Sequence, residues 1–382
     1  MLIGLVQIAV SQNASHRYNK ALIILLLFPF VLLSQITASH RYNQALTGNS
    51  NVSCITNPDI AWIFETGDQI KSAPVVTPEH IVIGNTAGTV FCLNHNGDLI
   101  WKDTTDNSIE APALILDNTV FIGNLSGTLN AFNLSTGERK WTYRAENQIM
   151  GAPNWFEMKG RKYLLIGSYD YYLHCVDATT GEMLWKYELD NYLNGTVAVS
   201  DGKAVFGGCD GFLHVVDLKS GTSLQRFDIA TYIAGSPAIS NGVAYIGDYD
   251  GGMTCVNLNT NTIQWQYRME ENTQPFVASP ATDGNLVFNG SRDKHAYCFD
   301  ATSGDMIWKV NTGMKIDASP VICTNGVLFI NTRGELYLLK QESGEAEMEY
   351  NLGVPVFSSP AVIKNAIVIG AADGNVYFLT QN

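Results

Sequence analysis

The strongest constraint on the fold of this chain is a tryptophan that returns about every 40 residues. Trp62, Trp101, Trp141, Trp185, Trp265 and Trp308 mark the period, with Gln225 and Met348 standing at the two remaining places, so that successive positions lie 39 to 44 residues apart. Self-similarity at such a period signals a solenoid, propeller or array, in which each copy is one supersecondary unit. The unit reads small residue, Ser or Ala, Pro, apolar run, Gly, polar turn, apolar run ending in Asp or Asn, Thr/Ser-Gly, and Trp. One full copy runs Gly235-Ser236-Pro237, Val243-Ala244-Tyr245-Ile246-Gly247, Asp250-Gly251 and on to Trp265. Its apolar residues alternate with period two, so each copy holds short strands joined by Gly-containing turns. Asp-Gly at 210–211, 250–251 and 373–374 suits tight turns, where Gly accepts positive φ.

The ends of the repeat region decide between an open array and a ring. The last copy runs through Ser359-Pro360 and Asp373-Gly374 without a Trp-bearing strand, and Ala61-Trp62-Ile63-Phe64 precedes the first Ser-Ala-Pro with nothing before it to pair with. Joining the two leaves no unpaired sheet edge at the seam. The expectation is an all-β, eight-bladed β-propeller of four-stranded antiparallel blades over residues 58–382, closed by the strand around Trp62. The copies Ala178-Thr179-Thr180-Gly181-Glu182-Met183-Leu184-Trp185 and Ala301-Thr302-Ser303-Gly304-Asp305-Met306-Ile307-Trp308 resemble the pyrroloquinoline-quinone-type repeat propellers. That family includes quinoprotein alcohol dehydrogenases, the propeller lipoprotein of the outer-membrane assembly machinery and tails of adenylating enzymes. The resemblance implies a closing Trp stacked between neighbouring blades, and it says more about fold than about function.

Residues 1–38 read as a signal segment: His16, Arg17 and Lys20 precede an apolar run at 21–33, and Ala38 offers a small residue for cleavage. Pro29 and the short run argue against a stable membrane span. Ala-Ser-His-Arg-Tyr-Asn occurs at 14–19 and again at 38–43, as if a leader had been duplicated, and residues 39–57 read as a linker. Cys54 lies well past the apolar run, which weighs against a lipid acceptor. These features point to an exported protein, periplasmic or secreted, and Asn51, Asn124, Asn133, Asn194 and Asn289 begin glycosylation sequons.

Charge narrows the function. A formal net charge of −13 repels phosphate backbones, so nucleic acid is not an expected partner. Seven cysteines include no CxxC and no adjacent pair, and Cys92, Cys175, Cys255 and Cys298 share one place in the repeat, as small core residues would. His174 and His214 are one repeat apart and are not expected to share a metal. Asp170, Asp210, Asp250 and Asp293 recur in a turn where Asp caps backbone. A quinone-dependent dehydrogenase would, by the resemblance, bring a quinone, a calcium ion, a catalytic Asp and a ring of adjacent cysteines. The missing pair and the compact repeats leave no expected cofactor, metal or enzymatic activity.

Departures from the repeat mark a candidate binding face. Lys71, Glu110 and Asp317 place charges just before the Pro position, and Asn194 replaces a small residue in a copy that has lost its Pro. The same face is expected to carry Tyr169, Tyr192, Tyr232, Tyr249, Arg292 and Arg333, and Tyr and Arg are enriched in binding hot spots. The reading is a monomeric, non-enzymatic scaffold that offers this face to a protein partner. The alternatives are a compact quinone-dependent dehydrogenase and a carbohydrate-binding propeller.

Overall fold

Period-two alternation over residues 58–382 produces eight four-stranded antiparallel sheets, the blades of an eight-bladed propeller. The computed structural model describes residues 37–270 and 273–382. The charged and apolar parts of the leader lie outside them. Within blade 1 the strands Val75–Val76, Ile81–Gly84, Thr89–Leu93 and Leu99–Thr104 follow chain order from the axis outward. Blade 8 takes its outer strand from the other end of the repeat: Pro58–Glu65 pairs with Asn375–Gln381, and Trp62 stands opposite Phe378. Among the described residues no helix is long and apolar enough to cross a membrane.

The Trp and Gly of the repeat are two halves of one contact between units. Five of the six repeat indoles donate to a carbonyl of the next blade: Trp62 to His95 at 2.9 Å, Trp101 to Leu134 at 2.6 Å, Trp185 to Leu218 at 3.1 Å, Trp265 to Ala301 at 3.0 Å and Trp308 to Gln341 at 2.8 Å. The ring lies on the Gly of that blade's last turn, so a Cβ on Gly221, Gly304 or Gly344 would sit 2.6, 2.5 or 2.8 Å from an indole carbon. These glycines also hold positive φ, 69°, 79° and 71°. Where Gln225 replaces Trp, the facing turn carries Asn261 (φ 57°) in place of Gly. The shared register of Cys92, Cys175, Cys255 and Cys298 is the place directly opposite the Trp, and all four are buried.

The Ser before Pro joins blades nearer the axis. Its hydroxyl accepts the backbone N–H of the same place in the preceding blade: Thr196 to Ser236, Ser236 to Ser279, Ser279 to Ser319 and Ser319 to Ser359, all at 2.8–3.0 Å. Thr196 accepts likewise from Ala152 at 2.9 Å. Blades 1 to 3 carry Ala73, Ala111 and Ala152 at this place, so the belt runs only from blade 3 to blade 8.

Residues 39–57, expected as a linker, lie across the inner strands. Inner edges of a propeller expose unpaired backbone groups to the channel, and this segment meets them one blade after another. Thr37–Ser39 pairs with Leu114–Leu116 of blade 2. The carbonyls of Gln44, Ala45, Thr47 and Gly48 accept from Val199, Ile239, Thr282 and Ile322 of blades 4 to 7, and the Tyr42 hydroxyl accepts from Val362 of blade 8. Arg41 is buried, and its guanidinium donates to the Pro280 and Pro320 carbonyls at 2.5 Å each. Burial, slightly offset by Tyr42, lowers its pKa to about 10. A cavity of about 460 Å³ remains between this segment and the inner strands of blades 1 and 8, lined by Tyr42, Val52, Pro74, Pro78 and Pro360 among others. Cleavage after Ala38 would divide the strand Thr37–Ser39. Cys54 is buried, as are Asn124 and Asn289, so these two sequons lie inside the fold.

Candidate functional site

The loops that enter the inner strands and the turns after the second strands meet at one end of the ring, because each turn donates a backbone N–H to the entry loop of its own blade. Cys209 N–H bonds the Tyr192 carbonyl, Tyr249 that of Tyr232, and Arg292 that of Pro275, at 2.8, 2.9 and 3.1 Å. This hinge brings the departures from the repeat side by side. Tyr169 and Tyr192, from blades 3 and 4, stack with ring centroids 4.6 Å apart, and Tyr171 leans on Tyr192 at 5.2 Å. The Tyr169 hydroxyl donates to Asn194 Oδ1 at 2.6 Å, while Asn194 Nδ2 donates to the Ala234 carbonyl at 2.8 Å. Burial first, then nearby Cys209, Tyr192 and Glu110, raises the Tyr169 pKa, so its hydroxyl stays a donor. Further round, Tyr232 meets Tyr249 edge to face at 6.4 Å, and Tyr249 lies near Arg292.

The expected charges are matched between blades. Lys71 of blade 1 reaches Glu110 of blade 2 at 2.7 Å. Arg292 of blade 6 grips Asp317 of blade 7 with two bonds, Nε to Oδ1 at 2.8 Å and Nη2 to Oδ2 at 3.1 Å. Asp317, and then Tyr249, raise the guanidinium pKa above its usual value. Arg333 pairs with Glu335 at 3.3 Å within its own turn. The turn acids act as expected at Asp170, Asp210 and Asp293, which accept from Tyr172, Phe212 and His295. In blade 5 the cap comes from Asp248, which takes the N–H of Asp250 and Gly252 and an ion pair from Arg268. His174 and His214 each bridge an Asp of their own blade to a Tyr of the preceding one.

Tyr171 is the site residue that sequence reasoning missed. Six copies place Gly at this turn position with positive φ, Gly88, Gly127, Gly211, Gly251, Gly334 and Gly374, whereas blade 3 holds Tyr171 at φ 74° and blade 6 holds Lys294 at φ 76°. A bulky residue there costs about 1–2 kcal/mol. The ring so placed packs against Tyr192 and is still 42 % exposed. Backbone strain of this kind is concentrated at functional sites, which makes Tyr171 a candidate for this one. Tyr171→Gly is expected to leave folding stability unchanged or raise it by up to about 1 kcal/mol, since relief of strain outweighs the flexibility Gly adds to the unfolded chain. A urea titration showing a loss above about 1 kcal/mol would assign Tyr171 to packing instead.

A quinone held over a calcium ion is a poor match for these residues. Among the described residues no three His, Cys, Asp or Glu side chains converge as cation ligands. Glu110, Asp317 and Asp248 each already face a cationic side chain.

The family profile described as outer membrane protein assembly factor BamB matches residues 48–154, 155–224, 209–313 and 292–382. The chain belongs to this family. Its fold is that of the pyrroloquinoline-quinone-type repeat propellers. BamB from Moraxella catarrhalis aligns with a TM-score of 0.70 at 18 % identity, covering 85 % of this chain and 97 % of its own. The quinohemoprotein alcohol dehydrogenase of Comamonas testosteroni reaches 0.72 at 12 % identity, covering 88 % and 79 %. The computationally designed Ika8 protein also reaches 0.72, at 17 % identity, covering 83 % and 97 %. At these identities the structural likeness carries the fold alone. No curated protein matches the sequence.

Proposed function

We propose that this BamB-family propeller is a non-enzymatic scaffold of the cell envelope that binds a protein partner through the mouth of blades 3 to 7. The observation that carries the reading is the arc of Tyr171, Tyr192, Tyr169, Asn194, Tyr232, Tyr249, Arg292 and Asp317, in which Tyr171 at φ 74° extends the aromatic row beside Tyr192. Tyr171, Tyr192, Tyr232 and Tyr249 are each 38–55 % exposed. Rigid aromatic rings with hydrogen-bonding tips and a fixed Arg make hot spots at little entropic cost. Membership of a family described as an outer membrane assembly factor supports an envelope location and a protein partner. Capture from envelope extract tests the reading: the wild-type ring is expected to retain a defined protein that the Tyr192→Ala/Tyr232→Ala/Arg292→Ala variant releases. Equal retention by both, or turnover of alcohols on adding pyrroloquinoline quinone and calcium, would overturn it.

A further inference from the structure

Two cysteines fit neither the core register nor the mouth. Cys323 ends the inner strand of blade 7, at a register place held by Leu116, Ser200, Ser240 and Ile363 in blades 2, 4, 5 and 8. Cys54 belongs to the crossing segment and lies outside the repeat. The chain brings them together through three bonds between that segment and the turn after Cys323. Thr324 N–H donates to the Val52 carbonyl at 2.9 Å, Asn325 Oδ1 accepts the Cys54 N–H at 2.8 Å, and Asn325 Nδ2 donates to the Cys54 carbonyl at 3.0 Å. Asn325 therefore clamps both backbone groups of Cys54. Both cysteines are buried in one apolar cluster with Leu328, Met348 and Val362, their backbones held side by side by these bonds.

We propose that Cys54 and Cys323 are joined by a disulfide that ties the crossing segment to blade 7. The oxidant is a disulfide of a small thiol or of a thiol–disulfide oxidoreductase. One cysteine thiolate attacks it, expelling one thiol and forming a mixed disulfide, and the second thiolate then displaces the other thiol. The two protein thiols lose two protons and two electrons, and the oxidant's S–S bond becomes two thiols. In the folded state the neighbouring Cys323 thiol and burial raise the Cys54 pKa strongly, so the reactive thiolate is scarce and the bond forms as the segment docks. A cross-link between these positions closes a loop of roughly 270 residues and keeps the segment from peeling off the inner strands.

Refolding the full chain in excess oxidised glutathione, followed by alkylation in denaturant, tests this without reference to any binding partner. The expected product is about 2 Da lighter than the reduced chain, has five of its seven thiols open to alkylation, and yields one cross-linked peptide pair carrying Cys54 and Cys323. Cys54→Ala and Cys323→Ala are each expected to leave six alkylated thiols, and the oxidised wild type is expected to outlast its reduced form when protease attacks residues 39–57. Seven alkylated thiols after oxidation, a bond through Cys209 or another cysteine, or equal protease rates would each overturn the proposal. Peptide mapping of the wild type decides the pairing even where a variant does not fold.

Discussion

Gly304→Ala is expected to destabilise the ring by roughly 2–4 kcal/mol. Positive φ at position 304 penalises any Cβ, by about 1 kcal/mol. The new Cβ would also lie 2.5 Å from Trp265, and overpacking of this kind costs about 1–3 kcal/mol. The indole cannot swing away cheaply, because its Nε1–H is bonded to the Ala301 carbonyl three residues upstream of the Gly, at 3.0 Å. The matched control is Asn261→Gly, where the facing residue is Gln225 and no indole presses on the turn; it is expected to change stability by less than about 0.5 kcal/mol. Urea midpoints of the two variants read the difference. A loss below about 1 kcal/mol at Gly304 would mean that Trp–Gly docking is not what holds successive blades together.

Truncation of Tyr192 or Tyr232 is expected to weaken partner binding far more than it weakens the fold. Both rings are more than a third exposed, and Tyr232 touches one other ring, Tyr249, edge to face. Removing Tyr232 should cost folding under about 1 kcal/mol, and removing Tyr192, which stacks on Tyr169, about 1–2 kcal/mol. A hot-spot tyrosine contributes about 2–4 kcal/mol to an interface, so either alanine variant should lower affinity roughly 30- to 1000-fold. Lys71→Ala serves as the contrast: its pair with Glu110 is a partly exposed rim contact, of the sort that contributes about 1 kcal/mol or less. Titration calorimetry against the captured partner compares the three. Equal losses at Lys71 and the tyrosines would mean that binding is not concentrated on the tyrosine arc.

Blade number, strand order and ring closure were legible because each copy repeats the same strand-turn-strand pattern, and Trp62 had no partner except the last copy. The contacts between copies were harder to read, since a repeat reports its spacing but not what touches what. One clue did exist: Gln225 and Asn261 depart from Trp and Gly together, as two sides of one contact would. The charges of the mouth could also have been paired from sequence, because Lys71 and Glu110 are opposite in sign and about one repeat apart. Tyr171 was readable as a bulky residue in a glycine position. The crossing segment was not legible. Its Ser, Asn, Gln and Thr residues show no period because they answer to inner-strand edges of different blades, and nothing local indicates that Arg41 is buried between Pro280 and Pro320.

A photo-crosslinking amino acid placed singly at Tyr232 and at Leu224, in cells that express the protein, tests the binding mouth most directly. Leu224 provides the comparison because it is an equally exposed apolar residue, 50 % against 55 %, on the outer strand Ser223–Asp228 of blade 4. The mouth position is predicted to yield a discrete cross-linked protein that position 224 does not. Cross-links of equal yield at both positions, or a product at 224 alone, would contradict the assignment of the tyrosine-lined mouth as the binding surface.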